Sequence, residues 1–167
     1  MKRISVFAFI LCIIASTACS VKQSDDRLCI SDTYTPVQAP AFTLSADIPE
    51  DAAQFSDADS SSVFYELGDY EIFRETFFAE SAEEGLERIT GKSTDTLNVI
   101  PVSDFPQEEY RFTWTAAGEN DDFVCSGTMF FDGSTCYSLT IQCPASLENR
   151  YRSGFYHILS NAELQPV

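Results

Sequence analysis

The sequence of 167 residues is poor in three features that would point to common functions: histidine, basic side chains and long apolar runs. It has one histidine, His157, and ten lysines and arginines against 26 acidic residues, for a formal net charge of -16. A single imidazole leaves little scope for a Ser-His-Asp triad, and we expect His157 to be an exposed helix residue. Nucleic-acid binding needs basic contacts to phosphates, so no nucleic acid is expected as a partner.

Several catalytic and metal-binding motifs are also missing. No serine lies in G-x-S-x-G, no glycine-rich phosphate loop is present and no C-x-x-C pair occurs. The sequence therefore predicts no metal site and no cofactor. Paired carboxylates remain an alternative, because a glycan hydrolase needs only two acids roughly 5 to 10 Å apart in a cleft. The candidate pairs are Asp121 with Asp122 and Glu108 with Glu109, which we interpret as ordinary solvated charges.

The N-terminus has the three parts of an export signal. Lys2 and Arg3 are followed by an apolar run from Ile4 to Ala15 and then by small residues up to Cys19. The apolar run is shorter than the roughly 20 residues that cross a membrane core. We therefore predict that residues 1–18 are a signal peptide removed on export.

The residues Ser16-Thr17-Ala18-Cys19 resemble the bacterial lipobox, in which the cysteine is diacylated and becomes the new N-terminus. Ser16 stands where that motif usually has leucine, and Ser16 and Ala18 also suit an ordinary signal peptidase. Both cleavages start the mature chain at Cys19. A lipid on Cys19 would hold the protein on the outer face of the cell membrane, and without it the protein would be secreted.

The exported part divides into a tether and one domain. Residues 19–40 are polar, contain two prolines and show no periodicity, so we expect a flexible segment spanning roughly 25 Å. Residues 41–167 are expected to form a single domain. Strands are predicted at Phe42–Ile48, Val63–Leu67, Tyr70–Ala79, Thr96–Val102 and Tyr110–Ala116, and in a hairpin around Asp132-Gly133-Ser134-Thr135, with a polar stretch from Glu50 to Ser62.

Two helices interrupt these strands. Ser81 and Glu84 form a capping box, Gly91 suits a C-cap, and Ala82, Gly85, Leu86 and Ile89 make one apolar stripe. Ser146 is predicted to cap a second helix that ends near Asn161. Strands joined by short turns and interrupted by two helices predict an α+β fold, a mostly antiparallel sheet flanked by helices in an α/β/α sandwich.

Four cysteines remain in the exported part besides Cys19: Cys29, Cys125, Cys136 and Cys143. Outside the cytosol they suggest disulfides, for which three connectivities are open. Alternation places Cys125 on one face of its strand and Cys143 on one face of the next, and we expect these to be the same buried face. We therefore predict a Cys125–Cys143 bond, with Cys29–Cys136 as the remaining pair. Buried thiols that stay reduced are the alternative.

The stretch SGTMFFDGSTCYSLTIQCPASLENRYRSGFYHILSNAEL resembles the end of the PsbP/DcrB-like group of exported domains, and FTLSADIPED resembles their opening strand. Together these stretches cover about a third of the chain. The resemblance implies an antiparallel sheet between helices and often a lipoprotein or accessory role, and it transfers no catalytic residues.

These observations predict a lipid-anchored binding or accessory domain of a bacterial envelope without catalytic activity. Its membrane contact would be the lipid on Cys19, and an envelope protein is a candidate partner. Most of the 14 phenylalanines, seven tyrosines and one tryptophan are expected in the core. Tyr65, Tyr70 and Trp114 are alternative candidates for lining a ligand cleft.

Overall fold

The computed structural model describes residues 40–57, 61–103 and 107–167. The predicted signal peptide and all but the last residue of the tether, including Cys19 and Cys29, lie outside these ranges. Within them the strands are β1 (Phe42–Ser45), β2 (Ala53–Ser56), β3 (Ser62–Leu67), β4 (Tyr70–Phe78), β5 (Asn98–Ser103), β6 (Glu108–Ala116), β7 (Phe123–Phe131), β8 (Thr135–Pro144) and β9 (Glu163–Pro166). The helices are α1 (Ala82–Thr90) and α2 (Glu148–Ser160), with 3-10 turns at Thr94–Thr96 and Ala145–Leu147.

An antiparallel sheet of seven strands forms the body of the domain. The strand order is β2-β3-β4-β8-β7-β6-β5, which leaves β2 and β5 at the two edges and the almost wholly buried β8 at the centre. β1 and β9 pair separately with each other. The predicted α+β fold with a mostly antiparallel sheet is confirmed.

One helix packs on each face of this sheet. On the α1 face, Leu86 and Ile89 of the helix join a core that includes Phe77, Phe112 and Met129. On the α2 face, helix α2 and the β1–β9 pair cover a second core. The principal buried members of that core are Leu44, Tyr65, Ile72, Tyr137, Leu139, Ile141, Phe155, Ile158 and Leu159. No helix in the described ranges is long and apolar enough to cross a membrane.

Helix α1 forms as its sequence predicts. The Ser81 side chain accepts a hydrogen bond from Glu84 N, and Gly91 ends the helix with φ of 65°. This left-handed conformation favours glycine, which has no Cβ to clash. The Glu84 carboxylate accepts a hydrogen bond from the Glu80 backbone N–H at 2.6 Å. In a standard capping box the donor would be the N–H of the next residue, Ser81.

Several local predictions are wrong. The first strand ends at Ser45 rather than at Ile48, and the polar stretch from Glu50 to Ser62, in which no strand was predicted, contains β2. Ser146 does not cap α2, because it lies in a 3-10 turn and the helix begins after Leu147 without a side-chain cap. The Ser146 backbone N–H donates instead to Asp121 at 3.0 Å, so a neighbouring loop satisfies this end of the helix.

The expected shared face of Cys125 and Cys143 is also wrong. Phe131 pairs with Cys136 across the turn, and this register puts Cys125 opposite Gln142 and Cys143 opposite Val124. Directly paired residues share a face, so Cys125 lies on the α1 face and Cys143 on the α2 face. Both are buried with free thiols, as is Cys136, which packs beneath Gly85 of α1. The register therefore gives no support to a Cys125–Cys143 bond.

Candidate functional site

An apolar groove runs between α2 and the outer strands of the α2 face. It arises because α2 packs over β7 and β8 and leaves β5 and part of β6 uncovered. The groove encloses about 400 Å³, a volume within the range of small-molecule sites. We call it the α2 groove, and its apolar lining includes Ile100, Val102, Val124, Phe155, Tyr156 and Leu159.

One wall of the α2 groove is a ridge on the surface of helix α2, which we call the α2 ridge. Glu148, Arg152, Tyr156 and Ser160 all line the groove and follow at intervals of four residues, which places them one above another on the helix surface. From Glu148 to Ser160 the ridge is about 18 Å long at 1.5 Å per residue. The groove is therefore long, and open to solvent along this ridge.

The other wall is the edge strand β5, where apolar side chains face solvent. Ile100 is 57% exposed and Val102 is 47% exposed, and Tyr156 on the facing ridge is 68% exposed. Among the described residues only six large apolar side chains are exposed, so these three are half of that set. Clustering of exposed apolar surface is typical of a binding site rather than of a random surface.

Each charged side chain that lines the α2 groove is held in an ion pair. Arg152 donates to Glu148 at 2.8 Å, and Arg111 on β6 donates from Nε to Glu109 at 3.1 Å. Glu148 is the only carboxylate among the described lining residues of the groove. The lining therefore has little net charge despite the acidity of the whole chain.

The α2 groove continues at its Glu148 end into a more polar pocket of about 490 Å³. The two share Asn98, Thr113, Val124, Ser126 and Glu148, and the pocket adds Lys92, Thr96, Trp114 and Thr115. Lys92 makes no salt bridge within the described ranges. We call this region the Lys92 pocket.

The aromatic residues proposed from sequence for a ligand cleft do not come together. Trp114 lies on the α1 face and borders the Lys92 pocket, whereas Tyr65 is buried in the core of the α2 face. Tyr70 packs against Tyr151 and Phe155 with ring centroids 5.0 Å apart in both contacts. Of the three, only Trp114 is among the described lining residues of the α2 groove and the adjoining pocket, whereas Tyr70 lies behind the groove residue Phe155.

The predicted carboxylate pairs are engaged in structural contacts. Asp121 accepts from Ser146, and these hydrogen bonds lower the pKa of its carboxyl. Glu108 accepts from the Tyr110 hydroxyl at 2.6 Å, while neighbouring Glu109 pairs with Arg111. Because adjacent strand residues point to opposite faces, Glu108 and Glu109 do not share a cleft.

His157 lies on the exposed side of α2, as expected. Its Nε2 is 3.7 Å from an Asp47 carboxylate oxygen, and the side chains of both residues are exposed. The described residues contain no cluster of three or more metal-ligating side chains.

A buried polar row crosses the α1 face away from the groove. Glu75 on β4 lies between Ser62 of β3 and Ser138 of β8 in the strand register, and both serine hydroxyls are buried without a hydrogen-bond partner. Burial raises the pKa of Glu75 to about 7; Arg88 acts against this shift and Asp57 adds to it. This row was not predicted from the sequence, because a single glutamate among strand residues has no distinctive spacing.

The α2 groove was missed at the sequence level for a related reason. Ile100 and Val102 alternate with Val99 and Pro101, so β5 is apolar on both faces and its sequence does not show which face stays exposed. A usable signal was available on the helix, where Arg152, Tyr156 and Ser160 follow at intervals of four beside the apolar arc. The sequence does not show that α2 packs over β7 and β8 rather than over β5.

Over the described ranges, the fold and the groove define an α+β domain with a helix on each sheet face and an apolar cleft beside α2. No family model matches the chain, and no curated protein matches it. Among solved structures, LpqN, described as involved in cell envelope biogenesis of Mycobacterium tuberculosis, is similar with a TM-score of 0.50. The match covers 80% of this chain and 91% of LpqN at 9% sequence identity. At that identity the likeness shows the fold alone.

Proposed function

We propose that this protein is an extracytoplasmic accessory domain of a bacterial envelope that binds a small apolar ligand in the α2 groove. The observation that carries the proposal is the clustering of Ile100, Val102 and Tyr156, all exposed, around a groove of about 400 Å³. Exposed apolar side chains gain free energy when a ligand removes them from water, at about 25 cal/mol per Å². Binding rather than catalysis is favoured because the charged side chains of the groove are held in ion pairs.

The location belongs to the same proposal. The signal-like N-terminus and the Ser16-Thr17-Ala18-Cys19 motif support lipid anchoring at Cys19 on the outer face of the membrane. The involvement of LpqN in cell envelope biogenesis is compatible with an envelope protein of this fold. A PsbP/DcrB-like relationship and an envelope protein partner are also proposed on the sequence resemblance.

The anchor is tested by the intact mass of the denatured protein from the membrane and soluble fractions of its host. We expect a membrane-bound chain that begins at Cys19 and carries a diacylglycerol. An unmodified chain found only in the medium would contradict the anchor and leave a secreted domain.

Ligand binding is tested by native mass spectrometry of the protein purified from its host. We expect a bound small molecule in the wild type and its loss in Ile100→Asp, which places a charge on the wall of the groove. Phe55→Asp is the matched control, because Phe55 is 53% exposed and lies on the opposite edge strand. Equal loading of both variants, or no bound molecule in the wild type, would contradict the proposal.

A further inference from the structure

We infer that the α2 groove holds an amphiphile with one hydrocarbon chain and an anionic head group. The hydrocarbon chain lies along the α2 ridge, and the head group lies in the Lys92 pocket. The inference rests on the proposed function, since it names the ligand class of the same site. It depends on two further observations. The polarity of the site changes along its length, and Lys92 at its more polar end makes no salt bridge with any described residue.

The apolar part of the site fits an extended chain. Ile100 and Val102 on β5 face Tyr156 on the helix ridge across an open cleft, and Phe155 and Leu159 form its deeper side. The ridge is about 18 Å long, and the cleft is bounded by one helix and one edge strand. A long, mostly apolar cleft of about 400 Å³ accepts one extended hydrocarbon chain along its length.

The polar part of the site fits a head group. At the Glu148 end, the lining changes from aliphatic side chains to Thr96, Asn98, Thr113 and Ser126, whose hydroxyl and amide groups can donate and accept hydrogen bonds. The change occurs within one continuous cleft, because the two regions share five lining residues. A molecule that spans both must be apolar at one end and polar at the other.

The charged side chains around the site favour an anionic head group. Arg111, Arg150 and Arg152 each pair with a carboxylate, whereas Lys92 makes no salt bridge within the described ranges. Glu148 at the same end is already paired with Arg152 at 2.8 Å. An anionic head beside the Lys92 ammonium gains its attraction without displacing an existing ion pair. Acidic side chains elsewhere in the protein act weakly on the head group, because salt screens charges that are more than about 8 Å apart.

The single tryptophan supplies a local reporter for the test. Trp114 borders the Lys92 pocket and is 7% exposed, so a head group entering that pocket changes the surroundings of the only indole in the chain. Purified full-length protein is titrated with decanoate, decyl phosphate, decanol and decyltrimethylammonium, each below its micelle concentration. Tryptophan emission and isothermal calorimetry report the dissociation constants.

We expect decanoate or decyl phosphate to bind at least fivefold more tightly than decanol, and decyltrimethylammonium to bind most weakly. The tighter of the two anions identifies the head as a carboxylate or a phosphate. Octanoate and dodecanoate extend the series, and affinity is expected to rise about fourfold per added CH₂ until the hydrocarbon chain fills the groove.

Two substitutions distinguish the contribution of the head group to binding from that of the hydrocarbon chain. Lys92→Ala is expected to weaken decanoate binding about fivefold and to leave decanol binding unchanged. Arg150→Ala is its matched control, because it removes an equal charge from a residue paired with Asp69 outside the site. Ile100→Asp is expected to weaken decanoate and decanol alike by at least about tenfold.

The possible failures are distinguishable. If decanol binds as tightly as decanoate and Lys92→Ala changes neither, the anionic head is refuted while an apolar groove ligand stands. If none of the decyl probes binds, or if Ile100→Asp has no effect on any of them, the proposed function fails together with this inference.

Discussion

Replacing Glu75 by glutamine tests the electrostatics of the buried polar row on the α1 face. Burial raises the pKa of this carboxyl from an ordinary value of 4.5 to about 7. The fold therefore binds the Glu75 proton more tightly than the unfolded chain does. The stability that this contributes is complete below pH 4.5 and is lost as the pH rises through 7.

The size of the effect follows from the shift. A change from 4.5 to about 7 corresponds to about 3 kcal/mol at 1.36 kcal/mol per pKa unit. Because glutamine stays neutral at every pH, Glu75→Gln is expected to unfold like the wild type at pH 4.5 and to be about 2 to 3 kcal/mol more stable at pH 8. With a urea m-value of about 2 kcal/mol/M, the midpoint at pH 8 rises by about 1 to 1.5 M.

The assay is urea unfolding followed by circular dichroism at pH 4.5, 6, 7 and 8. Glu66→Gln is the control, since it removes the same charge from an exposed position of β3. We expect the control to keep the wild-type dependence on pH. The reasoning is refuted if Glu75→Gln is no more stable than the wild type at pH 8, or if it gains equally at pH 4.5.

The remaining predictions concern packing and thiol chemistry. Gly85→Ala is expected to destabilise the fold by about 1 to 3 kcal/mol, because its new Cβ would collide with Cys136 Sγ and lie 3.0 Å from Met129 Sδ. In α2, Gly154→Ala meets nothing within 4 Å and is expected to stabilise the fold by about 0.5 to 1 kcal/mol; equal effects of the two substitutions in thermal unfolding would contradict this packing. Burial raises the pKa of the thiols of Cys125 and Cys136 to about 12 and that of Cys143 to about 11. Since the thiolate is the reactive form, iodoacetamide at pH 8 should label all three at least about 100-fold more slowly in the folded than in the urea-unfolded protein. A Cys125–Cys143 peptide in a non-reducing digest, or rapid labelling of the folded chain, would be the opposing result.

Local sequence signals were sufficient for much of the fold. The Ser81 cap, the stripe of α1 and the Gly91 stop depend on residues within one short segment, and all of them are confirmed. The turn at Gly68-Asp69 likewise joins β3 and β4, with Gly68 at φ of 62°. Such features are predictable because the interactions that decide them connect residues close together in the chain.

The errors concern long-range relations. Alternation assigned Cys125 and Cys143 correctly to one face of each strand, but only the register across the hairpin decides whether the two faces coincide. Ser146 has the composition of a helix cap, yet its backbone is satisfied by Asp121 from a distant loop. Both outcomes depend on partners that no local pattern specifies.

The candidate site shares this limitation. The residues of the α2 groove come from β5, β6, β7 and α2, and each segment reads as an ordinary amphipathic element by itself. The groove exists because α2 packs over β7 and β8 and leaves Ile100 and Val102 uncovered on the edge strand. That placement is a property of the packed domain rather than of any segment.

The most direct test of the account maps the binding site by NMR, with decanol as a probe that carries no charge. Chemical-shift changes are recorded for backbone amides and for isoleucine and valine methyl groups of the isotope-labelled protein. We predict the largest changes along Asn98–Ser103 and the α2 ridge, including the methyl groups of Ile100 and Val102. Changes concentrated instead around Phe55 and Phe78, two exposed phenylalanines outside the groove, would contradict the α2 groove as the binding site, as would the lack of any saturable change.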